Sequence, residues 1–204
     1  VTTHGALGPG ERAPDFELPA ADVEGTVALR EYLRRGPVLL TLLRGLYCPF
    51  CRRHISQLRP ACEGLRGAGI ALLGVVVASP ERARRYFGHF PPCFPMAAAP
   101  DRVLHRAYCL PEMIRTPDFV QETERRAAEV LRGQGIEAPP GQVRAVFMAS
   151  DGFEMTTEDQ GEFQQLHQMV GYFLIGSDGI IRWTRVDPWM VPLPDVEELR
   201  RRMS

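Results

Sequence analysis

Two cysteines separated by two residues, Cys48-Pro49-Phe50-Cys51, lie within the stretch RGLYCPFCRRH that begins at Arg44. A thiol attacks as thiolate, so a reactive cysteine needs surroundings that lower its pKa. The start of a helix supplies unpaired backbone N–H groups and the positive end of the macrodipole, both of which favour a negative sulfur. Cys48 falls at such a start, with Pro49 suited to the first helical position and Arg44, Arg52, Arg53 and His54 close in sequence. Cys51, one turn further on, can reach the Cys48 sulfur once that sulfur has reacted. The spacing therefore predicts a dithiol/disulfide cycle with Cys48 as the exposed nucleophile and Cys51 as the resolving thiol.

Two plainer chemistries compete with this reading. Free cysteine often serves as a small core residue, and that is the expectation for Cys62, Cys93 and Cys109. A structural zinc site needs four ligands. One CxxC supplies two, no second CxxC is present, and His54 and Cys62 point around the helix axis rather than toward the pair. His54, His89, His105 and His167 share no ligand spacing and read as surface or packing residues. No metal and no cofactor is expected.

Elements must hold the pair in place. PVLLTLL, directly before it, is an unbroken apolar run of the kind buried on both faces of a parallel sheet. From Cys48 to about Arg66 the spacing predicts a helix, kinked by Pro60, with Cys51, Ile55, Leu58, Cys62 and Leu65 on one apolar stripe. GIALLGVVVA is a second buried strand, and SPERARRYFGHF a helix capped by Ser79. A short strand near FPMAA and a helix from Asp101 to Tyr108 follow. TPDFVQETERRAAEVLRGQG has a helix start and a Gly stop, VRAVFM reads as a short strand, and the acidic SDGFEMTTEDQGE as an exposed segment. MVGYFLIGSDGIIRWTRV is a β-hairpin with Ser-Asp-Gly at its turn, and the last helix lies near PDVEELRRRM. Strand, helix, strand with both strands apolar implies an α/β arrangement with a right-handed crossover.

The 204 residues fit one domain able to bury a core without disulfide staples. Five cysteines, odd in number and unevenly spaced, do not resemble a secreted disulfide framework. The apolar runs are too short to span a bilayer, so a soluble, cytoplasmic protein with no membrane partner is expected. The net charge of -1 provides no general attraction to nucleic acid.

The blocks GERAPDFEL, PVLLTLLRGLYCPFCRRHISQL, GIALLGVVVASPE, FPMAAAPDRVLHRAY and GYFLIGSDGIIR together resemble the thioredoxin-fold AhpC/TSA family, in its peroxiredoxin-like branch with a CxxC motif. The resemblance implies a central mixed β-sheet flanked by helices over residues 1–204, with a partly helical insertion at about 110–167 that has no counterpart in it. By the same resemblance Cys48 is the nucleophile and Cys51 the second cysteine. The chain departs from the family pattern in two places. The proline and threonine that typically lie seven and three residues before the peroxidatic cysteine are here Thr41 and Gly45, and Val170 replaces the arginine before the hairpin's first strand. Val170 also stands where thioredoxins set a cis-proline. Arg44 is then the candidate electrostatic support, with Arg115, Arg144 and Arg182 as the alternatives. The resulting expectation is a thiol-dependent oxidoreductase that reduces a disulfide or a hydroperoxide and is restored by an external thiol or a thioredoxin-type reductant. The competing class is a non-catalytic redox sensor or partner-binding module of the same fold, whose insertion forms a partner surface.

Overall fold

A computed structural model describes residues 5–113, 116–165, 168–189 and 193–203, the side chains of 162, 164 and 165 excepted. In chain order the elements are β1 (Glu17–Pro19), β2 (Thr26–Ala28), α1 (Leu29–Leu33), β3 (Val38–Gly45), α2 (Pro49–Gln57), α3 (Arg59–Gly67), β4 (Ala71–Val77), α4 (Pro80–His89) and β5 (Met96–Ala98). There follow α5 (Val103–Ala107), α6 (Pro117–Gly133), α7 (Val143–Ala149), α8 (Thr157–Gln165), β6 (Val170–Ile175), β7 (Ile181–Asp187) and α9 (Val196–Arg201).

A five-stranded sheet runs in the order β5-β4-β3-β6-β7. β3 pairs in parallel with β4 and antiparallel with β6, so the sheet is mixed, as the resemblance implies. β3 is central, and its apolar run has a simple cause. Leu39 and Leu43 pack on the face covered by α2, α3 and α4, while Val38, Leu40 and Leu42 pack on the face covered by the N-terminal segment, α1 and α5. Both faces are dry, so period-two alternation is absent. Deleting a buried leucine such as Leu40 would cost roughly 2–5 kcal/mol.

The expected kinked helix is two helices, with the break at Leu58. Pro60 has no N–H to donate to the turn before it, and it restricts Arg59, so the chain starts afresh with Pro60 inside the first turn of α3. The apolar stripe survives the break, because Cys51, Ile55, Leu58, Cys62 and Leu65 are all buried in one cluster. Ser79 caps α4 as expected, its hydroxyl accepting from the Arg82 N–H. The hairpin turn also forms as read, with Gly179 at φ 78° supplying the left-handed residue.

Between α5 and β6 three expectations change. VRAVFM is the helix α7, since Val143, Val146 and Phe147 fall on one helical face and pack against Ala127 and Leu131 of α6. The acidic stretch is not simply exposed: it contains α8, and Asp159 is fully buried. Asp159 accepts from Arg82 of α4 at 3.0 and 2.7 Å, so the charge is paired where it is buried. Cys62 and Cys93, expected as separate packing thiols, are joined as a disulfide that ties α3 to the loop after α4, with their Cα atoms 6.6 Å apart. Among the described residues no helix is long and apolar enough to cross a membrane.

Candidate active site

β3 ends at Gly45, and a turn closed by the Cys48 N–H to the Gly45 carbonyl at 3.0 Å leads into α2. Cys48 is the capping residue of α2, with extended backbone and Pro49 directly behind it. Its Sγ accepts from the Cys51 N–H at 3.3 Å, which places the sulfur on the first open N–H groups of the helix. The sequence reading of this junction therefore has its counterpart in the geometry.

The two sulfurs differ in electrostatics. Burial opposes ionisation of Cys48, but the Cys51 thiol, the Arg44 guanidinium, the Cys51 N–H and Arg52 together lower its pKa to about 6. Cys51 is pushed well above the ordinary thiol value by burial and by the neighbouring Cys48 sulfur. One thiolate and one thiol is the resulting state near neutral pH.

Arg44, at the end of β3, is 6 % exposed. Its Nη2 donates to the Pro188 carbonyl at 2.7 Å and its Nη1 meets the Met113 sulfur at 3.5 Å. Its Nε is buried with no hydrogen-bond partner among the described residues. A fixed cation with an unspent donor thus stands beside the pair.

Cys48 is not exposed at a helix tip. It is 4 % and Cys51 1 % exposed. Cys48 and Arg44 border a pocket of about 140 Å³ whose walls come from α2 (Phe50), from α6 and α7 (Phe119, Phe147) and from the loop after β7 (Trp189). The segment after α5, read from the sequence as an insertion with no counterpart in the family, covers the pair with the apolar faces of α6 and α7.

Arg52, next to Cys51, holds this cover. Its side chain is 1 % exposed and makes two bonds to the Asp151 carboxylate, at 2.6 and 2.9 Å, plus bonds to the Leu46 carbonyl at 2.7 Å and the Met148 carbonyl at 3.0 Å. The Phe153 ring lies 3.9 Å from the Arg52 guanidinium carbon and 4.8 Å from that of Arg82. Beneath the pair, His54 Nε2 and the Tyr172 hydroxyl share a hydrogen bond of 3.0 Å. Burial, then the charge of Arg185, lower His54 to about 4 against the pull of Asp187, so this histidine is a neutral packing partner.

The structure therefore brings together Cys48, Cys51 and Arg44. Of the alternative arginines, Arg144 borders the same pocket, whereas Arg182 pairs with Asp178 at the hairpin turn, the far end of β3. Arg115 and His167 lie outside the described residues. Val170 begins β6, at the end of the sheet where the pair sits, and carries no donor. Sequence reasoning missed Met113, Phe119, Asp151, Phe153 and Trp189. Each reaches the site from 60 or more residues away, and no local pattern marks it. Among the described residues no group of three or more His, Cys, Asp or Glu side chains is arranged to hold a metal ion.

The chain matches the AhpC/TSA family over residues 9–136. In structure it is similar to the peroxidoxin BcpB of Mycobacterium tuberculosis, at TM-score 0.59 and 11 % identity, over 98 % of this chain and 97 % of that one. It is similar to the reduced 2-Cys peroxiredoxin of Plasmodium vivax at TM-score 0.58 and 15 % identity, over 95 % and 93 %. A chain assigned as the thiol:disulfide interchange protein DsbE of Chlorobium tepidum gives TM-score 0.51 and 17 % identity, over 89 % and 86 %. By sequence, no curated protein matches it.

Proposed function

The chain belongs to the AhpC/TSA family, and on that premise we propose that it is a redox enzyme that reduces an S–S or O–O bond through a Cys48/Cys51 dithiol-disulfide cycle. One observation carries this reading: the Cys48 sulfur, favoured as thiolate, borders a partly open pocket with Cys51 one turn behind it and the Arg44 cation beside it.

With a disulfide, the Cys48 thiolate attacks one sulfur, forming a mixed disulfide and releasing the other as thiolate. With a hydroperoxide, it attacks the terminal oxygen, the O–O bond breaks, and the alkoxide takes a proton to leave as alcohol, with sulfenic acid on Cys48. In either case Cys51 then loses its proton and attacks the Cys48 sulfur. The Cys48–Cys51 disulfide forms, and a thiolate or hydroxide leaves. Two electrons from an external thiol or dithiol restore the pair. Arg44 serves twice, stabilising the resting thiolate and the charge that develops on the leaving atom. The high pKa of Cys51 keeps it protonated until its partner has reacted, which prevents competition for the substrate.

The test is a side-by-side assay of fully reduced protein with hydrogen peroxide and with bis(2-hydroxyethyl) disulfide. Wild type turns over at least one of them. Cys48→Ser removes that turnover, and Cys51→Ser stops after one equivalent with the adduct trapped on Cys48. Unchanged turnover in Cys48→Ser would sink the assignment.

A further inference from the structure

We propose that the segment carrying α6–α8 makes this a site for small substrates bearing one apolar, ring-sized substituent, and that Phe119, Val120 and Trp189 set the preference. The inference rests on the redox reading of Cys48 given above.

Size is the first argument. The pocket beside Cys48 holds about 140 Å³, and an apolar cavity of roughly 150 Å³ in another protein takes up benzene. One ring fits, and a folded polypeptide does not. With Cys48 4 % exposed, a disulfide held in a protein surface meets α6 and α7 before it meets the sulfur.

The lining is the second. Phe50, Phe147 and Phe163 join the Phe119–Trp189 pair around the space. Phe119 and Trp189 stack at 4.6 Å with 19° between their planes, so a flat apolar wall is preorganised. The wall makes few polar demands. The Thr123 hydroxyl donates to the Phe119 carbonyl at 2.7 Å, and the Arg144 guanidinium lies over the Phe163 ring at 4.8 Å. Glu124 and Arg144 are both exposed and opposite in charge, so neither sign of ionic tail is favoured. At the reacting end the Cys48 sulfur and Arg44 remain. The arrangement pairs one polar end, where the S–S or O–O bond must sit, with an apolar body that receives the substituent.

Burying a ring against this wall should favour it by roughly tenfold to a hundredfold over a small polar analogue. The first measurement needs no turnover. Reduced protein is alkylated at Cys48, read by peptide mass, with N-benzyl iodoacetamide and with iodoacetamide, each rate divided by that of free mercaptoethanol. The benzyl reagent is expected to be faster at Cys48 by at least about tenfold. Val120→Trp, a substitution at a position 43 % exposed, fills the space, and Phe119→Ala removes half of the stack. Each should bring the ratio toward one.

The second measurement compares cumene hydroperoxide with hydrogen peroxide, and 4,4′-dithiodipyridine with bis(2-hydroxyethyl) disulfide, normalised in the same way. Preference for the ring-bearing member, reduced in both variants, supports the inference. A ratio near one in wild type, or one unchanged in both variants, overturns it while the redox reading stands. Selective alkylation without turnover of any of the four overturns the redox reading, and with it the assignment of the pocket to a substrate.

Discussion

The guanidinium of Arg52 holds the carboxylate of Asp151 by two hydrogen bonds across 99 residues of sequence. Arg52 belongs to α2, the helix that Cys48 caps, and Asp151 to the loop between α7 and α8, so this pair ties the cover over Cys48 to that helix. Asp151→Ala leaves a buried cation with the Leu46 and Met148 carbonyls and the Phe153 ring as its remaining partners, at a cost of roughly 1–3 kcal/mol, toward the low end because Asp151 is 38 % exposed. The expected result is faster amide exchange in α7 and faster alkylation of Cys48 by bulky reagents, with β3 and β4 unchanged. Equal exchange in α7 of variant and parent would show that the cover is held by its apolar contacts alone.

The pH profile of Cys48 follows from its depressed pKa. Thiolate, and with it alkylation, should rise as pH increases through about 6 and level off above it. Arg44→Met removes the cation and shifts the midpoint upward, toward the ordinary thiol value. Iodoacetamide rates from pH 4 to 9 on both proteins measure this, and coincident profiles would remove Arg44 from the site electrostatics.

Acid should destabilise the fold through two buried histidines. His54 and His105 are each lowered to about 4, chiefly by burial. Between the unfolded value near 6.5 and 4, the unfolded chain binds more protons than the folded one. Stability is then complete above about pH 6.5 and falls as the pH drops toward 4, by up to roughly 3 kcal/mol per histidine. Urea melts at pH 7 and pH 4.5 test the slope, and His105→Gln, which can still reach the Leu43 carbonyl that His105 Nε2 meets at 2.8 Å, should flatten it.

The Cys62–Cys93 link closes a sequence separation of 31 residues, which corresponds to roughly 3–4 kcal/mol in the chain-entropy account. Cys93→Ser should lower the denaturation midpoint accordingly and leave Cys48 alkylation unaltered, since the link joins the first half of α3 to the loop after α4 and neither of its cysteines lines the Cys48 pocket. A midpoint equal to that of the disulfide-bonded parent would show that packing already holds this corner.

Some of this could be read from the chain, and the reason is locality. Cys48, Pro49 and Cys51 share one turn, so their capping geometry is decided by four consecutive residues. The central strand was legible because a run apolar at every position has few other uses, and α6 because Thr116 and the glycines punctuate it. Short segments were less legible. VRAVFM satisfies both the helical and the strand period, and only the apolar face of α6 decides between them.

What lay beyond the sequence was everything set by distant partners. Arg44 could be nominated from its place before the pair, but its orientation depends on Pro188, 144 residues away. Asp151 and Asp159 read as solvated charges until they are seen paired with the buried Arg52 and Arg82, Asp159 being buried with its partner. The same holds for Cys48, whose exposure is decided by where the helices after α5 bury their apolar faces. Hydrophobic burial is non-directional, so the chain specifies which surfaces must be covered, and tertiary packing specifies by what.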